Sequence, residues 1–196
     1  NTLFHMFIKT YEQHKERKAF IYKVADKEFE VSYEKLFEDV LVLSRAFKAK
    51  KIEKGSKVMF LCDNRYEWMV TDLALISLGA IGIPRGCDTP TQELEFILSH
   101  SGAEFLIVED EHIYIRHEKM LEHLKLKAIF IVEAPKVHSF LSNIYSYKDI
   151  LKDRIIHTNE VAEFIASKET LDEEDIVTII YTSRSEEHTS ELQSQR

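Results

Sequence analysis

Four short, continuously apolar runs, spaced by helix-length segments, constrain this chain more than any other feature. Val58-Met-Phe-Leu-Cys62, Ala80-Ile-Gly-Ile-Pro84, Phe105-Leu-Ile-Val108 and Ala128-Ile-Phe-Ile-Val132 are too short for buried helices. They are also too uniformly apolar for strands with one wet face, so both faces of each are expected to be covered. The intervening segments carry helical spacing: residues 65–78, then Leu94, Ile97 and Leu98, then Tyr114 to Leu124. Strand and helix alternating in this way predict an α/β fold, a mainly parallel sheet flanked by helices and built through right-handed crossovers.

The N-terminal part reads differently. Leu3, Phe4, Phe7, Ile8 and Tyr11 form one apolar helical stripe over residues 2–14, and residues 19–24 and 28–31 flank Asp26-Lys27 as a hairpin. Ser32 is placed to cap a helix whose Leu36, Val40, Leu43 and Phe47 share a side, ending in the basic stretch 48–54. Further along, Asn64 with Glu67 resembles a capping box. Thr89-Pro90-Thr91-Gln92 is a second helix start, with proline expected at the first helical position, and that helix stops near Gly102. Residues 133–174 are less regular, with short helices expected around 147–151 and 161–166 and a solvated acidic turn at Asp172-Glu-Glu-Asp175.

The chain has 196 residues, 44% of them hydrophobic and 31% charged, enough to bury one core and too apolar for general disorder. Its formal charge is −8, which argues against sequence-independent binding to nucleic acid. Cys62 and Cys87 make neither a CxxC pair nor a disulfide framework and read as packing residues of a reduced, cytoplasmic protein. No run of eighteen apolar residues occurs. Asn1 is not an initiator, and the helical pattern begins at once, so an internal fragment of a longer chain is expected.

The last apolar run, Asp175-Ile-Val-Thr-Ile-Ile-Tyr-Thr-Ser183, reads as a buried strand delivering hydroxyls to a phosphate-binding loop, where glycines would let backbone N–H groups approach the oxygens. Instead, residues 184–194 follow without a glycine and match, codon by codon, the translation of a common sequencing-library adapter. Residues 184–196 are therefore set aside as a non-native tail expected to be disordered, which leaves 1–183 as the folded domain and −7 of the formal charge.

Chemistry in such a sheet collects beyond the carboxyl ends of its strands. Cys62-Asp63-Asn64-Arg65 either lines a site or caps the next helix through Asp63 or Asn64. Arg85 and Gly86 either face an anion or form a plain turn. His117 and His123 lie about 240° apart around a helix and do not converge on a metal. Tyr181, Thr182 and Ser183 either bind phosphate oxygens and a magnesium ion or simply end a strand.

Three stretches carry a family resemblance. Residues 64–84, Asn-Arg-Tyr-Glu-Trp through Ser-Leu-Gly-Ala-Ile-Gly-Ile-Pro, are similar to the "NRPEW…D.A.LSLGAV.VP" segment of acyl-adenylate-forming (AMP-binding) enzymes. Residues 89–110, ending in Ser-Gly-Ala-Glu-Phe-Leu-Ile-Val-Glu-Asp, resemble the segment after it, and 175–183 resemble the lead into "YTSGTTG.PKG". The nearest subfamily is the long-chain fatty-acid–CoA ligases.

The resemblance implies the N-terminal part of the large adenylation domain, incomplete, from an enzyme that uses ATP and Mg2+ to turn a fatty acid or other carboxylate into acyl-adenylate and pyrophosphate, then acylates coenzyme A. It implies cofactor contacts at Tyr181, Thr182 and Ser183, with Thr182 toward the metal. It implies no catalytic residue within this chain, whose downstream motifs are absent, and an inactive fragment as it stands. Peripheral membrane contact is compatible with that family. The alternatives left open are a carrier-protein acceptor in place of coenzyme A and a non-catalytic α/β binding or scaffold domain.

Overall fold

The computed structural model describes residues 2–134, 143–152 and 154–182. Helix α1 (Leu3–His14) buries Phe4, Phe7, Ile8 and Tyr11, the stripe expected from spacing, and Tyr11 stacks on Phe37 with ring centroids 3.8 Å apart. Strands β1 (Lys18–Val24) and β2 (Lys27–Ser32) form the antiparallel hairpin, turning through Ala25 and Asp26, with Ala25 at φ 52°. Ser32 then accepts a hydrogen bond from the Lys35 N–H and opens α2 (Tyr33–Ala49), as its position at the head of an apolar stripe predicts.

Five parallel strands follow. β3 (Lys57–Leu61), α3 (Tyr66–Ser77), β4 (Ile81–Arg85), α4 (Thr91–Ser101), β5 (Phe105–Asp110), α5 (Glu111–Leu121) and β6 (Ala128–Glu133) alternate along the chain, and β7 (Ile144–Ser146) adds an edge. Helices α6 (Tyr147–Lys152) and α7 (Thr158–Ala166) follow, and a short 3-10 helix, Ser167–Thr170, completes the order. The sheet runs β4-β3-β5-β6-β7, parallel throughout.

Period-2 alternation sends Val58, Phe60, Phe105, Ile107 and Phe130 into one core, shared with α1, α2 and α3. Met59, Leu61, Leu106, Val108 and Ile129 enter the other, under α4 and α5. Both faces are covered, which is why these strands read as unbroken apolar runs. No described helix is long and apolar enough to cross a membrane.

Three expectations need correction. The capping box at Asn64 does not form: Arg65 holds the cap position without a side-chain cap bond and ties Glu67 through its Nε at 2.7 Å. At α4 the cap residue is Pro90, one position before the helix, and the Thr89 hydroxyl donates to the Gly86 carbonyl instead. The run from Asp175 is not a buried strand. It makes one parallel bridge, Gly82 with Thr178, and leaves Ile176 and Ile180 61% and 68% exposed. It lies outside β4, and no described strand covers its far side. Strand β7 was missed, because three residues are too few to show a period.

Candidate functional site

The strand order places a topological switch at β3. The chain leaves it for β4 on one side and comes back to β5 on the other, so the loops beyond β3, β4 and β5 diverge and open a crevice. Cys62, Asp63, Asn64, Trp68, Arg85 and Gly86 are among the residues lining a cleft of roughly 600 Å³ there.

Glu109, near the end of β5, organises the crevice. Its Oε2 accepts the Asp63 backbone N–H at 2.9 Å and the thiols of Cys62 and Cys87 at 3.4 and 3.5 Å. Asp63 accepts the Cys87 N–H at 3.0 Å through Oδ1, and the guanidinium of Arg65 lies 3.6 Å from Glu109 Oε1. Asp63 therefore pins the loop after β4 rather than capping α3, and Asn64 caps nothing either. Burial and then the Glu109 charge push the Cys62 thiol up, and the same two causes raise Cys87 to about 12. Thiols whose pKa is raised in this way are poor nucleophiles. Their meeting in space was invisible in a sequence that sets them 25 positions apart.

Arg85, which lines this cleft, has two of its guanidinium nitrogens engaged within the chain. Its Nη1 donates to the Tyr181 carbonyl at 3.0 Å, Nη2 pairs with Glu93, and its buried Nε has no partner among the described residues. The parallel bridge runs the chain after Ile179 toward the carboxyl end of β4, so Tyr181 and Thr182 arrive at the same end of the sheet as the crevice. The Tyr181 hydroxyl bonds His100 Nδ1 at 2.8 Å, so this side chain is committed to holding the segment, while Thr182 is exposed. Ser183 lies outside the described residues, as does the whole of 184–196.

Because the Arg85 guanidinium holds the Tyr181 carbonyl alongside the His100 and Lys54 contacts, Arg85→Met is expected to speed amide exchange at Ile179, which donates to the Gly82 carbonyl, about tenfold, or ~1.4 kcal/mol of local opening. Exchange at Ile179 unchanged while β3 amides also hold would show that the bridge stands without Arg85.

His117 is buried against the Thr91 hydroxyl at 2.9 Å, desolvation lowers its pKa, and His123 is exposed. The acidic turn before the last segment is a salt-bridge anchor: Asp175 meets Lys54 at 2.6 Å.

The sequence profile of AMP-binding enzymes matches residues 7–185. A chloroplastic long-chain-fatty-acid–[acyl-carrier-protein] ligase of Arabidopsis thaliana is 22% identical over 184 residues, 88% of this chain and 25% of that protein. A long-chain-fatty-acid–CoA ligase of Mycobacterium tuberculosis is 25% identical over 135 residues, 67% of this chain and 21% of that one. The chain thus spans about a quarter of the length of these curated relatives.

Among solved structures, a coronafacic acid ligase from Pectobacterium brasiliense superimposes with a TM-score of 0.72 at 18% identity, over 91% of this chain and 33% of that one. A long-chain-fatty-acid–CoA ligase from Archaeoglobus fulgidus does so with a TM-score of 0.70 at 21% identity, over 93% and 35%. These structural likenesses establish the fold. With the profile covering all but the first residues of the described chain, this protein segment belongs to the AMP-binding enzyme family.

Proposed function

We propose that this chain is the N-terminal part of an ATP-dependent ligase that converts a long-chain carboxylate to its acyl-adenylate, releases pyrophosphate and transfers the acyl group to coenzyme A. The observation that carries the reading is the family match over residues 7–185, which includes Tyr181 and Thr182 at the carboxyl end of the sheet. In this reading residues 1–183 are a partial adenylation domain and 184–196 a non-native tail.

ATP with Mg2+ would supply a phosphorus open to attack by the carboxylate and charge neutralisation of the departing pyrophosphate. The residues present fit a supporting part in that chemistry. Thr182, exposed at the end of the segment, would approach the phosphates and metal, with Ser183 continuing the loop, and Tyr181, anchored by His100 and Arg85, would fix their position. The protein would be cytoplasmic, with a peripheral membrane contact suited to a lipid substrate. The 88% coverage by a relative named as an acyl-carrier-protein ligase favours, as a second reading, a carrier-bound thiol as the acceptor.

The test begins by resequencing the source DNA through codon 183 and expressing the continuous gene. The intact protein is expected to release pyrophosphate only when given ATP, Mg2+ and a fatty acid, and Thr182→Ala should lower kcat about a hundredfold. The 196-residue chain alone should release none. Coenzyme A and acyl-carrier protein, supplied separately, distinguish the two acceptors. An intact gene without carboxylate-dependent pyrophosphate release would overturn the proposal.

A further inference from the structure

Helix α7 and the 3-10 helix after it close a cavity of about 170 Å³ against α2 and the end of α3. Ser77 and Leu78 stand where α3 finishes and β4 has yet to begin, so the cavity lies toward the amino ends of the strands, away from the crevice. Leu41, Leu78 and Phe164 supply apolar walls. Two buried hydroxyls are set among them, Ser44 and Ser77, 4% and 3% exposed, with their oxygens 3.0 Å apart.

This hydroxyl pair has hydrogen-bonding capacity to spare. Ser77 has one proton and two acceptors in reach, the Ala74 carbonyl at 2.7 Å and the Ser44 oxygen at 3.0 Å. With that proton on the nearer carbonyl, the Ser44 proton is left for Ser77 or for a guest, and both oxygens keep lone pairs. Such a pair can give one hydrogen bond and accept another, which is what the oxygen of a neutral hydroxyl requires. The charges at the rim cancel, Arg45 and Lys48 against Glu160 and Glu163, and Arg45 already meets Glu160 at 3.2 Å. An ion therefore gains nothing by entering.

We propose that this cavity binds a small neutral ligand carrying one hydroxyl on a compact apolar body, the class of phenols and short alcohols. An apolar void of about 150 Å³ holds one benzene ring. The volume here thus admits roughly seven non-hydrogen atoms and excludes a long acyl chain. The guest hydroxyl meets Ser44 and Ser77, and its body packs on Leu41, Leu78 and Phe164. Entry is under α7, which buries none of its residues fully. That helix is held by Phe164, edge-on to Phe4 and Phe37 at 5.2 and 5.5 Å, and by Arg45, which bonds the Ile155 carbonyl at 2.8 Å. A surface helix with so little buried opens at small cost, and a guest beneath it fastens it. The site stands whether or not the proposed ligase activity does, because its test measures neither nucleotide nor acyl transfer.

The full 196-residue chain, labelled with nitrogen-15, is titrated with phenol and followed by NMR. Saturable shifts are expected at the amides of Ser44, Ser77, Leu78 and Phe164, with a Kd on the order of 1 mM. At about ten times Kd, amide exchange in α7 should slow about tenfold. Benzoate, a similar ring bearing a charge, should bind at least about tenfold more weakly. Ser77→Ala should weaken phenol about fivefold yet bind benzene, which has no hydroxyl, at least as tightly as the unaltered chain does. Ser44→Ala should do the same and covers the case in which the first variant misfolds. No saturable shift at these amides, benzoate binding as well as phenol, or phenol binding undiminished in both serine variants would each overturn the assignment.

Discussion

Alanine in place of Phe60 is expected to lower the free energy of unfolding by about 3–5 kcal/mol, and the loss should shrink in the presence of a larger residue at position 82. Phe60 sits on the interior strand β3, 1% exposed, with its ring 5.4 Å from that of Trp68. On the neighbouring strand β4, a Cβ built on Gly82 would lie 2.9 Å from Phe60 Cε1, closer than real Cβ atoms approach anything. The glycine is there because the ring fills its side-chain space. Gly82→Val alone should therefore cost about 1–3 kcal/mol by overpacking. In the double variant valine enters part of the space the ring vacates, and the coupling should recover about 0.5–3 kcal/mol relative to the sum of the singles. Urea midpoints at constant slope measure all three. Additivity within about 0.5 kcal/mol would show that the ring does not dictate the glycine.

How much of this was legible in the sequence follows from what each element needs. The runs at 58–62, 80–84, 105–108 and 128–132 revealed themselves because strands covered on both faces must be apolar at every position, and the structure covers them so. Helices α1 and α2 were equally plain from their stripes and from Ser32. The run ending in Tyr181 misled because apolar composition does not distinguish a central strand from one at an edge. In this segment of the protein it is an edge, with Ile180 68% exposed.

The crevice was half legible. Topology alone points to the ends of β3, β4 and β5, and Cys62, Asp63 and Arg85 were all noted there as site or turn. What no local pattern could supply was Glu109. It sits at the tail of an apolar strand, and its importance is purely spatial: its carboxylate accepts from Asp63, Cys62 and Cys87 together. The capping reading at Asn64 failed for a related reason. Arg65 has carboxylates on three sides, Glu67, Glu109 and Glu133, and its pairing with them outweighs a local cap.

Asp72 gives the second large effect, and its sign depends on pH. Burial on α3 raises this carboxyl from an ordinary value of 3.8 to about 6. Between those two values the folded chain binds a proton that the unfolded chain has lost, so stability falls as pH rises through that window. Below it the acid is neutral in both states and costs nothing. Above pH 7 the folded chain carries the full cost of a desolvated charge. A two-unit shift sets an upper bound of about 3 kcal/mol, and partial exposure of the side chain reduces this to ~2.

Asp72→Asn keeps the shape and removes the charge. It should therefore stabilise the fold by ~2 kcal/mol at pH 8, give no gain at pH 4 and below, and cross over near pH 5–6. Denaturant titrations at pH 4, 6 and 8 resolve the curve. An equal gain at every pH would mean that the amide packs better than the acid for reasons other than charge, and no gain at pH 8 would mean that the carboxylate is already solvated or paired.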